Sequence, residues 1–251
     1  MKSCRWWPPI LGLALKLPEL EMPRRRLLLE GGAEFGGQMR EPDLAAMQLA
    51  GGPQSPIRII PAAAAPDHNH ARAGQNGVRW FKSLGAQDVS WLPLIDKSSA
   101  NDPQVGSELL RAKLIYLLGG FTGYLGQTLL GSSAWQAALE ANKNGAVIGG
   151  SSAGAMVMCQ FYFDPDTGAV ETGLNLIPNA LALPHYNNFG NSWVPRLLRQ
   201  IGEVTLLGID ERTGMLSEDG GKKWQVLGQG SVTVHRQGKR EMHLAGESFS
   251  I

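Results

Sequence analysis

Cysteine is nearly missing from this chain: its 251 residues hold two, Cys4 and Cys159, far apart and without the spacing of a metal-ligand set. That excludes a disulfide framework and a structural zinc site and fits a reducing, cytoplasmic compartment. An excess of charge of one sign is missing too. With 23 basic residues against 22 acidic ones, no electrostatic footprint points to nucleic acid or to an acidic membrane surface. The one basic run, Arg24 to Arg26, reads as a solvated lead-in to a strand. No long-period repeat and no low-complexity linker divides the chain. What remains is a sequence with 43% hydrophobic residues, long enough to bury a sizeable core as one large domain.

The first 21 residues stand apart. "MKSCRWWPPILGLALKLPELE" has the basic start and short apolar stretch of a secretory signal, but Lys16 and Glu19 interrupt the apolar run, a Pro pair breaks it, and no small-x-small cleavage site follows. It is also too short to span a bilayer. Met22 precedes the first convincing strand. Residues 1–21 therefore read as an N-terminal extension, disordered or a misassigned start, and residues 22–251 as a single domain.

From Met22 onward short apolar runs alternate with helical patterns. "RRLLLEGG", "PIRIIPAAAA", "DVSWLPLI", "AKLIYLLGG" and "AVIGG" read as strands; "AGQNGVRWFKSLGA" and one long stretch, "YLGQTLLGSSAWQAALEANKNG", read as helices. This succession predicts an α/β fold with a mostly parallel sheet covered on both faces, a three-layer α/β/α arrangement. Such sheets place ligand sites at the carboxyl ends of their strands. The tail "WQVLGQGSVTVHRQGKREMHLAG" alternates apolar and polar residues around glycine-bearing turns, which predicts antiparallel hairpins.

At one strand-to-helix junction, residues 150–154 spell Gly-Ser-Ser-Ala-Gly, a G-x-S-x-G in the context of a nucleophile elbow. The middle residue of an elbow needs a strained backbone that lifts its hydroxyl clear, and glycines two positions to either side prevent clashes between strand and helix. Ser152 is therefore the candidate nucleophile, and Ser151 occupies a position whose side chain points elsewhere. A serine nucleophile needs a base, and the base an orienting group. Of five histidines, His68 and His70 lie in a polar loop and His235 and His243 in the terminal hairpin region. His185, in "NALALPHYNNFG", opens a loop after an apolar strand, where active-site residues of parallel sheets collect. For the acid, "VTLLGIDERTGM" runs from a strand into Asp210 and Glu211, a pair that also suits the cap of a turn. The chain order would be Ser, His, acid, unlike that of the α/β-hydrolases.

The succession "YLLGGFTGYL", "GAVIGGSSAGAMVM", "GLNLIPNALALPHYNN", "LLGIDERTGM" and "WQVLGQGSVTVHRQG" resembles the serine-peptidase family of dipeptidase E and cyanophycinase, in order and spacing, over roughly residues 25–251. The resemblance implies a class I glutamine amidotransferase-like, flavodoxin-like fold. It implies Ser152 as nucleophile, His185 as base and Glu211 as third member, with an oxyanion hole built from the N–H groups of Ala153 and the Gly119, Gly120 turn. Fused amidotransferase-type glutaminases carry cysteine at this elbow, so serine here argues against release of ammonia from glutamine. The dipeptidase E branch takes its acid from just after the nucleophile helix, where Asp164 and Asp166 stand in "FYFDPDTG". Glu211 is preferred because Asp-Pro-Asp-Thr-Gly is also an ordinary turn sequence.

Cyanophycinase carries Asp-Gln before its histidine and spaced arginines after it, which suit an Asp-Arg polymer. Here His185 is flanked by Leu183-Pro184 and by the uncharged Tyr186-Asn187-Asn188-Phe189-Gly190. The glycine loop of residues 30–37 lacks phosphate-binding spacing and reads as a wall of the site, with Glu34 a contact for a substrate amine. The expected activity is cofactor-free and metal-free hydrolysis of small peptides or related amides through an acyl-enzyme, with Asn187, Tyr186, Thr122 and Glu34 as substrate contacts. The expected partner is a small peptide substrate, without nucleic acid or membrane, and a homodimer is left open. The alternatives are an esterase with a more apolar acyl pocket, or a non-catalytic binding protein on the same scaffold.

Overall fold

The computed structural model describes residues 25–251; the expectations for residues 1–21, and with them Cys4, lie outside the described residues. Five apolar runs form the parallel strands β1 (Arg26–Glu30), β2 (Ile57–Ile60), β3 (Val89–Trp91), β4 (Leu114–Leu117) and β5 (Val147–Ser151). Helices α1 (Arg40–Leu49), α2 (His70–Ser83), α3 (Pro103–Arg111), α4 (Thr122–Leu129), α5 (Ser133–Lys143) and α6 (Ala153–Met158) alternate with them. A hairpin of β6 (Phe161–Asp164) and β7 (Ala169–Thr172) follows, then β8 (Ala180–Leu183) and α7 (Val194–Ile201). Six strands come after: β9 (Thr205–Ile209), β10 (Thr213–Ser217), β11 (Lys223–Gly228), β12 (Ser231–Arg236), β13 (Lys239–Leu244) and β14 (Ser248–Ser250).

The main sheet runs β14-β11-β10-β1-β5-β4-β2-β3, with β10, β11 and β14 antiparallel at one edge. The inner parallel strands β1, β5 and β4 are apolar through their middles because side chains of period two meet a helical layer on either face, and β2 is interrupted by Arg58. Leu28, Leu114 and Tyr116 pack with α1 and α2, whereas Leu27, Leu29, Ile115 and Leu117 pack with α3 to α6. Cys159 is buried on this second side, and burial pushes its thiol up to about 12.

Two local features differ from the sequence expectation, and a third refines it. The stretch expected as one long helix is two, α4 and α5, because Gly131 is left-handed (φ 71°) and the Ser132 hydroxyl caps the Trp135 N–H at 3.1 Å; a cap pair of this kind outweighs continuous apolar spacing. The tail forms antiparallel strands, as expected, and divides them between two sheets. β11 pairs with β10 and β14 in the main sheet, whereas β12 pairs with β9 and β13 in a second sheet of order β13-β12-β9-β8. Arg26 is not simply solvated: its guanidinium donates to the carbonyls of Leu49 (2.8 Å) and Gly145 (3.0 Å), pinning the start of β1.

β1 ends in a fully buried acid. Glu30 accepts from the Tyr116 hydroxyl and lies beside the carboxyl of Asp43, itself fully buried and bonded to Trp80 Nε1 at 2.7 Å. Glu30 Oε1 and Asp43 Oδ1 are buried without a hydrogen-bond partner among the described residues, and two neighbouring buried carboxyls do not both ionise, so the pair holds a proton. Burial pushes both carboxyls up, Asp43 to about 7. A carboxyl raised on folding retains its proton where the unfolded chain releases it, so stability declines as pH climbs from the ordinary carboxylate range of about 4 toward 7. Urea unfolding between pH 4 and 8 is expected to show this decline. Asp43→Asn, whose amide still accepts from Trp80 and donates to Glu30, is expected to flatten it and to raise stability at pH 8 by about 1 kcal/mol or more.

Candidate active site

Ser152 stands between β5 and α6 with φ 49° and ψ −113°, a backbone that a residue with a Cβ adopts only when its surroundings force it. The surroundings are two close approaches. A Cβ on Gly150 would lie 2.6 Å from the Gly154 carbonyl carbon, and one on Gly154 would lie 2.2 Å from the Leu117 carbonyl oxygen. The Ser152 N–H donates to the Glu30 carbonyl at 3.0 Å, fixing the turn to the end of β1. Ser152 Oγ faces His185 Nε2 at 3.0 Å. Ser151 is fully buried and donates its hydroxyl to Glu34 Oε2 at 3.0 Å.

His185 follows β8, which pairs in parallel with β9 in the second sheet rather than the main one. It too is left-handed, at φ 51°. Its N–H donates to the Gly31 carbonyl at 2.7 Å, and its carbonyl accepts from the N–H groups of Asn188, Phe189 and Gly190. Nδ1 lies 2.8 Å from Glu211 Oε1. The hydrogen bond with His185 holds the Glu211 carboxyl below the usual range, assisted by the Asn188 side chain. Of the acid pair, Asp210 turns away, accepting from Ser231 N (2.9 Å) and Oγ (2.8 Å), which leaves Glu211 to face the imidazole. Asp164 accepts from Thr167 Oγ1 at 2.9 Å and from the Asp166 N–H within its own turn, and Asp166 is exposed; neither bonds His185.

The Gly119, Gly120 turn follows β4 beside the serine. A Cβ on Gly119 would meet Glu34 Oε1 at 2.9 Å and Ser152 Cβ at 3.1 Å, and Gly120 (φ 137°) lies against the Ala63 carbonyl. Among the described residues the N–H groups of Gly119, Gly120 and Ala153 have no acceptor in the protein. Fixed donors of this kind, beside a nucleophile, suit a developing oxyanion.

Two expected substrate contacts are not available. Thr122 is buried and its hydroxyl meets Met156 Sδ at 3.7 Å. Tyr186 is buried over Gly208, and its hydroxyl bonds His235 Nε2 at 2.7 Å. Asn187 is exposed, but its Oδ1 accepts the Glu211 N–H at 2.9 Å and so supports the acid. Glu34 lines the site. A residue not singled out from the sequence is Phe189, 45% exposed, whose ring stacks on the His185 imidazole at 4.9 Å and 19°. Its only sequence signal is an aromatic side chain four residues after the histidine in a polar loop. Among the described residues no cluster of His, Cys, Asp and Glu is arranged to hold a metal ion, and no helix is long and apolar enough to cross a membrane.

The sequence profile of peptidase family S51 matches residues 27–224. The chain is 29% identical to a cyanophycinase of Trichormus variabilis over 244 residues, covering 90% of this chain and 78% of that one. It is 28% identical to a cyanophycinase of Synechococcus elongatus over 223 residues, covering 81% and 66%. The crystal structure of a peptidase from an acI-B1 actinobacterium superposes with a TM-score of 0.81 at 28% identity, over 92% of this chain and 98% of that one. A putative peptidase E of Listeria monocytogenes shares the fold, with a TM-score of 0.58 at 18% identity over 89% and 100%.

The two neighbouring serines differ sharply in access. A fluorophosphonate probe followed by peptide mapping is expected to modify Ser152 and leave Ser151 untouched; modification at Ser151 would contradict the assignment of the elbow.

Proposed function

The chain belongs to peptidase family S51, and from that premise we propose that it hydrolyses small peptides through a Ser152-His185-Glu211 triad and an acyl-enzyme. One observation carries the reading: the unbroken chain from Ser152 Oγ to His185 Nε2 at 3.0 Å and from His185 Nδ1 to Glu211 Oε1 at 2.8 Å. His185 Nε2 takes the serine proton as Oγ attacks the amide carbonyl, and the imidazolium formed is stabilised by the Glu211 carboxylate. The N–H groups of Gly119, Gly120 and Ala153 take the charge of the tetrahedral intermediate. His185 then protonates the leaving amine, and water, deprotonated by the same nitrogen, releases the acyl group from Ser152.

The curated relatives are named cyanophycinases, and an Asp-Arg polymer is the alternative substrate. Selecting it needs matching charges beside the base, because charged pairs supply a specificity that apolar contacts cannot. From Tyr186 to Trp193 the loop has no charged residue. Of the arginines that follow, Arg196 donates to the Gly168 carbonyl and lies over the Phe163 ring at 5.4 Å. These placements favour a short, neutral-flanked peptide.

Glu211→Gln is expected to lower kcat by roughly 10³- to 10⁴-fold with the fold retained, as loss of the orienting carboxylate does in serine triads. Asp166→Asn is expected to leave kcat within about 3-fold; the reverse ranking would move the acid to the turn after α6. Purified enzyme offered cyanophycin and a dipeptide library is expected to cleave library members and to leave the polymer intact, and rapid release of Asp-Arg dipeptides would reject the small-peptide assignment.

A further inference from the structure

The turn that leaves His185 places three aromatic rings four residues apart: the imidazole, Phe189 and Trp193. The His185 carbonyl accepts from the N–H groups of Phe189 and Gly190, and the Phe189 carbonyl accepts from that of Ser192, so the chain winds over the histidine into the 3-10 turn Gly190–Trp193. Residues at helical spacing share a face. Phe189 stacks on the imidazole with ring centroids 4.9 Å apart and planes 19° apart. Trp193 meets Phe189 edge-on at 5.5 Å, and Phe163 of β6 backs Trp193 at 5.0 Å. The Arg196 guanidinium closes the far end, 5.4 Å from the centre of the Phe163 ring. The column therefore runs from the base to the hairpin that follows α6.

Such a column answers a mechanical need. The torsion that sets the plane of an imidazole is broad and two-fold, so a pinned backbone at His185 still leaves the ring free to rock. The triad needs both nitrogens in line at once, Nε2 on Ser152 Oγ at 3.0 Å and Nδ1 on Glu211 Oε1 at 2.8 Å. Glu211 holds one of them, and its side chain is 30% exposed, so water competes for that hydrogen bond. Gly32 and Phe189 bear on the ring itself. A Cβ on Gly32 would lie 2.3 Å from Cε1 and 2.8 Å from each ring nitrogen, so the backbone there lies against the imidazole. Phe189 is 45% exposed and contributes little to the core; what it touches is the base. Its face has a second effect. An aromatic face attracts a cation centred within about 6 Å of it, and His185 becomes a cation only once it has taken the serine proton. The attraction is absent in the resting enzyme and present at the tetrahedral intermediate, so it acts on kcat rather than on KM.

We propose that Phe189, backed by Trp193, is a positioning residue for the reaction: its ring holds the His185 imidazole in line with Ser152 and Glu211 and stabilises the imidazolium that forms there. This rests on the acyl-enzyme reading above.

The test measures kcat and KM on the dipeptide that the wild type cleaves fastest, together with the rate at which a fluorophosphonate modifies Ser152. Phe189→Tyr keeps the ring and is expected to stay within about 2-fold of the wild type on all three. Phe189→Leu fills the space without an aromatic face and is expected to lower kcat by roughly 5- to 30-fold. Phe189→Ala frees the imidazole and is expected to lower kcat by up to about 100-fold, with KM within about 2-fold for both variants. The labelling rate is expected to fall in step with kcat, because it depends on the same transfer of the serine proton. Trp193→Leu is expected to lower kcat less than Phe189→Leu does, and the double variant to be no slower than Phe189→Leu alone, since the two rings act in series. A rise in KM with an unchanged labelling rate would make Phe189 a substrate contact and overturn the proposal. So would Phe189→Tyr as slow as Phe189→Leu, or additive losses in the double variant. The Phe189→Tyr and Phe189→Leu pair decides even if Phe189→Ala fails to fold. Labelling at Ser152 with kcat unchanged by Phe189→Leu removes the Phe189 assignment alone, whereas a wild type that is neither labelled nor able to cleave any dipeptide removes the acyl-enzyme reading with it.

Discussion

The first turn of α6 sits so close to β4 and to the end of β5 that no side chain fits two positions to either side of Ser152. Gly154 rides on the Leu117 carbonyl and Gly150 on Gly154 itself, and everything functional at this end of the sheet follows from that contact. The chain has one residue in which to reverse from strand to helix, which puts Ser152 at φ 49°. The strain is offset by the Glu30 carbonyl accepting the Ser152 N–H and by the packing of α6 between β4 and β8. A turn this tight also leaves the Ala153 N–H pointing out of the helix start without an acceptor, as the first residues of any helix do. The geometry that exposes the hydroxyl thus also supplies a donor beside it.

His185 and Glu211 follow β8 and β9 of the second sheet, so their alignment with Ser152 depends on how the two sheets meet. The seam is Gly31 and Gly32, immediately after β1. The Gly31 carbonyl accepts the His185 N–H, its N–H donates to Thr213, and the Gly32 carbonyl accepts from Arg212. Side chains are excluded here as well. A Cβ on Gly31 would lie 2.1 Å from the Asp210 carbonyl oxygen, and one on Gly32 would enter the His185 ring at 2.3 Å. The end of β1 and the two glycines after it therefore hold Ser152 and His185 directly, and Glu211 through its neighbours Asp210 and Arg212, by backbone alone, and tolerance of their positions is set by a segment that carries none of them.

Periodicity made the parallel strands readable because they are buried on both faces and so appear as continuous apolar runs; "LLLE" and "LIYL" differ little from any other inner strand. The elbow was readable for a sharper reason, since two glycines at fixed offsets from a serine answer a steric demand. What stayed hidden were contacts between distant segments. Nothing in "LLLE" tells that Glu30 shares a proton with Asp43, nor does "LPHYNN" reveal that Tyr186 turns inward to His235 while Asn187 holds the Glu211 N–H. The division of the tail between two sheets was equally invisible, because β11 and β12 each alternate polar and apolar residues and the choice of partner lies in β9 and β10. At Gly131-Ser132 a helix-stop and cap signal competes with continuous apolar spacing, and in the folded chain the cap prevails.

Four carboxyls gather at this end of the molecule, and their charge states are matched to the chemistry of an oxyanion. Were Glu30 and Asp43 both ionised, two further negative charges would sit behind the serine, one of them on the residue whose carbonyl holds the Ser152 N–H. Burial prevents that by raising both groups, and the Tyr116 phenol bonded to Glu30 is raised with them, chiefly by its own burial. The pair retains a proton and contributes hydrogen bonds in place of a dianion. That leaves Glu211, whose charge is matched by the imidazolium that forms on His185 in the proposed reaction, and Glu34, for which the described residues provide no cation. The same desolvation that lowers stability toward neutral pH therefore removes negative charge from behind the nucleophile, and the protein tolerates the first effect where the second is needed.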